Sequence, residues 1–230
     1  MKIGIMQPYF FPYIGYFQLI KAVDKYVIYD DVNYIKGGWI NRNFILLNGE
    51  KFRFNLILSG ASPNKLINEV FVSDNQTKFL KTIEAAYKKA PYFLTIFPLI
   101  DEIINFKDKN LARYVGNSII KISEYLKINT NFIYSSEIDK KNNLLRAEAK
   151  VINICKQLAA TEYYNAIGGV DLYNREAFEE QEISLHFVKT ENASYKQFEN
   201  EFVSYLSIID VLMFNSVYEI NEMLDDFKLL

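Results

Sequence analysis

The chain of 230 residues holds one cysteine, one histidine and one tryptophan, and each scarcity removes a class of chemistry. Cys155 alone cannot build a disulfide framework, and a lone thiol fits a reducing compartment. Its place on the apolar face of a helical pattern reads as a buried structural thiol. His186 alone cannot build a multi-histidine metal site, and any Ser-His-Asp arrangement would hang on that one ring. Neither a P-loop nor a G-x-G-x-x-G pattern occurs. Uninterrupted apolar runs of about 18 residues are also missing, so no membrane insertion is expected. The apolar N-terminus is cut by Gln7, Pro8, Pro12 and Gly15 before it reaches the length of a signal-peptide core, and no small-residue cleavage site follows. A cytoplasmic protein is therefore expected. Charge of one sign is lacking too: 26 Lys+Arg face 28 Asp+Glu, for a net charge of −2. No basic stretch is dense enough to track a phosphate backbone, which argues against nucleic acid as a main partner.

What is present is apolar and aromatic. Half the residues are hydrophobic and 16% aromatic, enough for a large core. Lys2–Met6 is a short apolar run stopped by Gln7-Pro8, and Tyr26–Tyr29 ends at Asp30-Asp31. Between them Tyr16, Leu19, Ile20 and Val23 recur at helical spacing, so the opening is a βαβ unit with parallel strands. Phe44–Leu47 and Lys51–Leu58 flank Asn48-Gly49, the signature of a tight antiparallel hairpin, and Ile67–Val72 suits another strand. Three helical patterns follow, around Phe79–Tyr87, Ile96–Ile103 and Leu111–Leu126. Alternation then resumes with strand Asn131–Tyr134, helix Leu144–Leu158, strand Glu162–Asn165, helix Asp171–Glu180 and strand Ile183–Val188. Ile208–Phe214 and Val217–Phe227 read as helical. Arg146 and Lys150, one turn apart, read as a solvated pair. The expectation is one α/β domain over residues 1–230. It has a parallel sheet of about five strands, helices on both faces, and an inserted antiparallel hairpin and helical segment at about 43–126.

Ligands of such sheets sit beyond the carboxyl ends of the strands, which directs attention to three loops. The first contains Gln7, Tyr9, Tyr13, Gly15 and Tyr16. Its prolines stiffen it, and Gly15 permits close approach at a helix start whose free amides suit an anion; it also reads as a packed aromatic loop. Pro12, Tyr13, Ile14, Gly15 and Tyr16 resemble the strand–loop–helix signature of the nucleotidyltransferase and class I synthetase superfamily. Tyrosine stands where that signature has its two histidines, and a neutral phenol supplies no positive charge to a triphosphate. The resemblance supports a Rossmann-like (nucleotidyltransferase/HUP-like) architecture more than adenylation. The second loop packs Asp30, Asp31, Asn33, Lys36, Trp39, Asn41, Arg42 and Asn43 together, a mix suited to a sugar or sugar nucleotide. Asp30 or Asp31 is the candidate general base and Lys36 a candidate catalytic or phosphate-holding cation; a solvated, salt-bridged loop is the plainer alternative. The third loop offers Asn165, Gly168 and Gly169, and equally reads as a turn. No metal ligand set is assigned.

The stretch Met6–Leu46, with Lys89–Phe93, Tyr163–Tyr173 and Leu206–Ser216, closely resembles the WbqC-like family, and the likeness spans essentially the whole chain. That resemblance implies a role in O-antigen and related bacterial surface-glycan assembly. It implies a glycine or other aminoacyl transfer, forming an amide with the amine of a nucleotide-linked amino sugar. Family knowledge carries no catalytic residues onto this chain. Under this reading Asp30 or Asp31 accepts the amine proton, Lys36 or Arg42 holds phosphate, and tyrosines of the first loop line the acceptor pocket. The donor stays open between ATP-activated amino acid, a charged tRNA and an acyl-carrier thioester. Beyond such a tRNA no nucleic-acid partner is expected. An ATP-dependent ligase or nucleotidyltransferase, and a non-catalytic sugar-nucleotide-binding protein, are the alternatives.

Overall fold

The computed structural model describes residues 1–73, 76–138, 145–191, 193–199 and 201–230. Its centre is a six-stranded sheet. The first strand, β1 (Lys2–Met6), leads through helix α1 (Ile14–Lys21) to β2 (Lys25–Ile28), and the two strands pair in parallel. Alternate residues separate the sheet's two faces. Ile3, Ile5, Val27, Tyr163, Leu185 and Phe187 enter one core, and Tyr26, Ile28, Tyr164 and Val188 the other. Gly4 completes the second face: a Cβ there would lie 3.1 Å from Tyr26, whose ring crosses β1. Helix α1 is apolar nearly all round and buries Ile14, Phe17, Leu19 and Ile20, each worth about 1.5–3 kcal/mol.

Between β2 and β7 (Asn131–Tyr134) the chain inserts the segment that forms most of the second core. It begins with the hairpin of β3 (Arg42–Leu47) and β4 (Glu50–Asn55). Leu47 pairs with Glu50 across Asn48 (φ 54°) and Gly49 (φ 81°), two consecutive left-handed residues, as the Asn-Gly dipeptide demands. A two-residue ribbon follows, β5 (Leu58–Ser59) against β6 (Phe71–Val72). The strand expected over Ile67–Val72 is thus half realised, since Ile67–Glu69 turns as a 3-10 helix. Helices α2 (Thr77–Tyr87), α3 (Phe93–Ile104) and α4 (Leu111–Tyr125) complete the insertion. Asn110 starts α4 by accepting the Arg113 amide, and Lys127 ends it in a left-handed turn.

After β7 come α5 (Ala147–Gln157), β8 (Glu162–Ala166), α6 (Arg175–Glu179) and β9 (Ser184–Thr190). Leu144, where the helix was expected to begin, lies outside the described residues. The helix expected over Asp171–Glu180 is divided: Ile167–Leu172 forms a 3-10 turn, and Asn174 caps a new start by accepting the Glu176 amide. Helices α7 (Ile208–Phe214) and α8 (Val217–Asp225) end the run, and the last residues form β10 (Phe227–Leu229). The sheet order is β10-β9-β8-β1-β2-β7, five strands parallel and β10 antiparallel on β9. The expected sheet of about five strands therefore gains an edge strand, because Phe227, expected to be the last residue of a helix, instead begins a strand that runs to Leu229 and pairs with Val188–Thr190. Helices cover both faces, α5 and α6 on one and α1 with the insertion, α7 and α8 on the other. No helix among the described residues is long and apolar enough to cross a membrane.

Candidate functional site

Strand order reverses beside β1, which has β2 on one side and β8 on the other. At such a reversal the loops leaving the strands diverge and leave a crevice. Here that crevice is a cleft of about 440 Å³, in the size range of small-molecule sites. The first loop contributes Tyr9, Pro12 and Tyr13, and the first turn of α1 contributes Gly15 and Tyr16. Trp39 comes from the second loop, Asn43 from the start of β3, and Ala166 and Ile167 from the end of β8 and the turn after it. Val188, Lys189 and Thr190 close the side formed by β9, and Tyr205 stands at the mouth, 70% exposed.

The first loop is held rather than merely packed. Phe11 has φ 44°, a left-handed conformation that costs a non-glycine residue about 1–2 kcal/mol. Its carbonyl accepts the Asn43 side-chain amide and the Ser207 hydroxyl, each at 2.7 Å. Its ring, fully buried, stacks on Phe79. The Phe10 amide donates to the Ile40 carbonyl at 3.1 Å, and the Ile208 amide to the Pro12 carbonyl at 2.8 Å. Tyr16 donates to the Gln7 carbonyl at 2.8 Å, so Gln7 supports the cleft with its backbone. Gly15 is required by space: a Cβ there would lie 2.5 Å from the Thr190 hydroxyl, which donates to Gln18 of α1. No side chain caps α1, so its positive end borders the cleft beside Gly15. Burial raises the Tyr9, Tyr13 and Tyr16 phenols above their ordinary range, with Tyr205 adding to the rise at Tyr13. These groups are hydrogen-bond donors at neutral pH.

The acidic pair lies elsewhere. Asp30 and Asp31 are 1% and 7% exposed and do not line the cleft. Asp30 accepts from the Ser136 amide at 2.9 Å, the Ser136 hydroxyl at 2.7 Å and the Ser135 hydroxyl at 3.0 Å. Asp31 accepts from Ser135 and forms an ion pair with Lys150 at 2.8 Å, both side chains buried. Lys150 also donates to the Asp31 carbonyl. Lys150 is thus not solvated, as its helical spacing from Arg146 suggested; Asp31 draws it inward.

The remaining sequence candidates divide as follows. Lys36 is exposed and outside the cleft lining. Asn33 donates to the Pro63 carbonyl, and Asn41 joins the Leu56 carbonyl to the Tyr34 hydroxyl, both as loop struts. Arg42 lies 5.8 Å from the Trp39 ring centre and donates to the Gly37 carbonyl. Asn165 is buried, donates to Tyr163 and accepts the Ala166 amide, fixing the end of β8 where Ala166 and Ile167 enter the cleft. Gly169 packs on Asn165, whereas Gly168 faces open space. Sequence reasoning missed Lys189, Thr190 and Tyr205. The signal for the first two was there, since they end a fifth parallel strand at the same sheet edge. Cys155 is buried in the core beneath α5, and burial pushes its thiol up to about 12.

No solved structure matches the chain. An uncharacterized protein of Mycobacterium tuberculosis is 28% identical over 216 residues, covering 92% of each chain. A family model described as the WbqC-like protein family matches residues 7–222, and on that match the chain belongs to the WbqC-like family.

Proposed function

We propose that this chain is an enzyme of bacterial surface-polysaccharide (O-antigen) assembly that transfers glycine or another acyl group to the amine of a nucleotide-linked amino sugar. The observation that carries the reading is the cleft at the strand-order reversal, an open crevice lined by Tyr9, Tyr13, Tyr16 and Trp39. Aromatic faces stack on the apolar face of a sugar, and protonated phenols donate to its hydroxyls. The reversal of strand order beside β1 supports a Rossmann-like reading of the sheet and, with it, a nucleotide-linked acceptor. Family membership supports the glycan setting.

Asp30 or Asp31 as proton acceptor would require one carboxylate to leave its serine and lysine partners, because neither opens onto the cleft. In the reading favoured by this geometry the pair positions the end of β2; the free amine attacks the activated acyl carbonyl, the donor's carrier leaves with the electron pair of the broken acyl bond, and the amine proton passes to that leaving group or to water at the open cleft. The direct assay incubates purified protein with nucleotide-linked amino sugars and glycine as free amino acid with ATP, as glycyl-tRNA or as a carrier thioester, and follows the amide product by mass spectrometry. Amide formation should fall at least tenfold in Tyr13→Ala. Full activity in that variant, or no amide from any donor while nucleotide sugar still binds, would count against transfer, the second outcome favouring a binding protein. Product formed at the wild-type rate by both Asp30→Asn and Asp31→Asn would remove the carboxylates from the chemistry.

A further inference from the structure

The hydrogen-bonding groups that the cleft leaves open are of one kind. None of the described residues that line it is a carboxylate. Lys189 lies on β9 between Val188 and Thr190, so strand alternation starts its side chain on the face away from the cleft. Asn43 is already engaged, since its amide donates to the Phe11 carbonyl and its oxygen accepts the Phe44 amide. Thr190 donates to Gln18, and Tyr16 to the Gln7 carbonyl. No hydrogen bond among the described residues engages the Tyr9, Tyr13 or Tyr205 hydroxyl or the Trp39 indole N–H. These groups offer hydrogens from an otherwise apolar wall, and they suit uncharged ligand groups that bring acceptor oxygens. An ammonium is the opposite, charged and donor-only, and it would lose its water here with no anion to meet it. Ring faces attract cations, but the Trp39 and Tyr205 rings already have Arg42 and Lys51 against them. The buried acidic pair is no substitute, with Asp31 held by Lys150 and Asp30 by Ser135 and Ser136.

We propose that the acyl group transferred is short and uncharged, of the acetyl or hydroxyacetyl class, and that the cleft refuses an aminoacyl group. This rests on the reading of the cleft as the acceptor site. The new amide sets the acyl α-carbon two bonds from the acceptor nitrogen, so whatever that carbon carries lies against the same lining. A methyl group meets ring faces there, and a hydroxymethyl group meets phenols as well. The α-ammonium of a glycyl group meets no counterion. Taken from a thioester, the acyl group moves without oxidant or nucleotide. The acceptor's unprotonated amine attacks the thioester carbonyl, the N–C bond forms, and the C–S bond breaks with its electron pair passing to sulfur. The proton lost by nitrogen ends on the released thiol.

Trp39 is the only tryptophan, so its emission reports on the cleft alone. The probes are UDP-linked glucosamines bearing N-acetyl, N-hydroxyacetyl or N-glycyl groups; the last two match in size and differ by a hydroxyl against an ammonium. At about pH 6 the acetyl and hydroxyacetyl sugars are expected to bind about tenfold more tightly than the glycyl sugar, equal to about 1.4 kcal/mol. The glycyl amine loses its proton near about pH 8, so the gap should close by about pH 9. The Tyr9, Tyr13 and Tyr16 phenols, raised by burial, stay protonated across that interval. Ile167→Asp sets a carboxylate at the cleft wall and should narrow the gap at about pH 6, with thermal unfolding confirming that the variant is folded. A glycyl sugar that binds as tightly as its hydroxyacetyl counterpart at about pH 6, a gap that persists at about pH 9, or a gap indifferent to Ile167→Asp overturns the proposal. Acetyl and glycyl thioesters of N-acetylcysteamine, offered with UDP-glucosamine, carry the test to turnover. N-acetyl product in excess of N-glycyl product supports the proposal. N-glycyl product at an equal or greater rate overturns it and leaves the transferase reading standing. No amide from either thioester, together with no binding of any of the three sugars, would remove the acceptor reading and this proposal with it.

Discussion

The Asp31–Lys150 pair shows how much one buried contact decides. Both side chains are almost fully enclosed, and Lys150 spends a second hydrogen bond on the Asp31 carbonyl. Removing one partner of such a pair leaves a charge stranded in low dielectric, a loss of about 3–5 kcal/mol. Lys150→Met should therefore lower the urea midpoint strongly, and adding Asp31→Asn should restore much of the loss. Equal destabilisation by the single and double variants would show that packing, not charge, sets the cost. Gly15 carries a different constraint. Gly15→Ala would drive a methyl into the Thr190 hydroxyl and press α1 away from β9, at a cost of about 1–3 kcal/mol. Because Gly15 also lines the cleft, ligand-induced change in Trp39 emission should shrink in the same variant. Cys155 should resist alkylation in native protein and react on unfolding, since burial holds its thiol up near 12 and the thiolate is the nucleophile. Mass spectrometry after iodoacetamide treatment reads the difference.

Elements whose signals are local were legible in the sequence. The βαβ opening follows from two apolar runs and a helical spacing, and the β3–β4 hairpin from Asn48-Gly49. What depends on distant partners was not. Phe227–Leu229 is a strand only because the far edge of β9 accepts it, so its three residues carry no pattern of their own. Lys150 sits at ordinary helical spacing, and the residue that buries it belongs to another loop. The cleft was half legible: Tyr9, Tyr13, Gly15, Tyr16, Trp39 and Asn43 come from the singled-out loops, Lys189 and Thr190 follow from the fifth parallel strand, and Tyr205 is joined only by the fold. Edge strand β10 hangs from α8, whose start is a capping box: Ser216 accepts the Glu219 amide, and Glu219 accepts the Ser216 amide. Ser216→Ala should cost about 1 kcal/mol. Hydrogen exchange at Phe227–Leu229 should quicken with it, because α8 also supplies the Met223 carbonyl that anchors Gln18 of α1. Unchanged exchange would mean that β10 is held by β9 alone.

Across the whole molecule, one buried carboxylate joins the insertion to the C-terminal helices. Asp210 of α7 is 0% exposed and accepts from Tyr87 of α2 at 2.7 Å, from Tyr195 at 2.7 Å and from Gln197 at 2.6 Å, with no cation among the described residues bonded to it. Tyr87 in turn accepts the Leu46 amide of β3. Burial raises the Asp210 carboxyl above its ordinary range, and the three hydrogen bonds pull it back only in part. In the unfolded chain it titrates near pH 4. Between that value and the raised one, the folded state binds more proton than the unfolded state, so stability falls as pH rises through the interval. Below it the neutral acid carries no penalty; above it the penalty is complete. Asp210→Asn keeps a side chain of the same shape and removes the titration. The stability of the variant relative to the parent should therefore climb with pH from about 4 and then level off. Urea unfolding of both proteins from acid to neutral pH measures this directly. Curves that stay parallel over that range would show a carboxyl whose proton is released equally in both states, and the knot between insertion and C-terminal helices would then be held by hydrogen bonds to a charge that the interior tolerates.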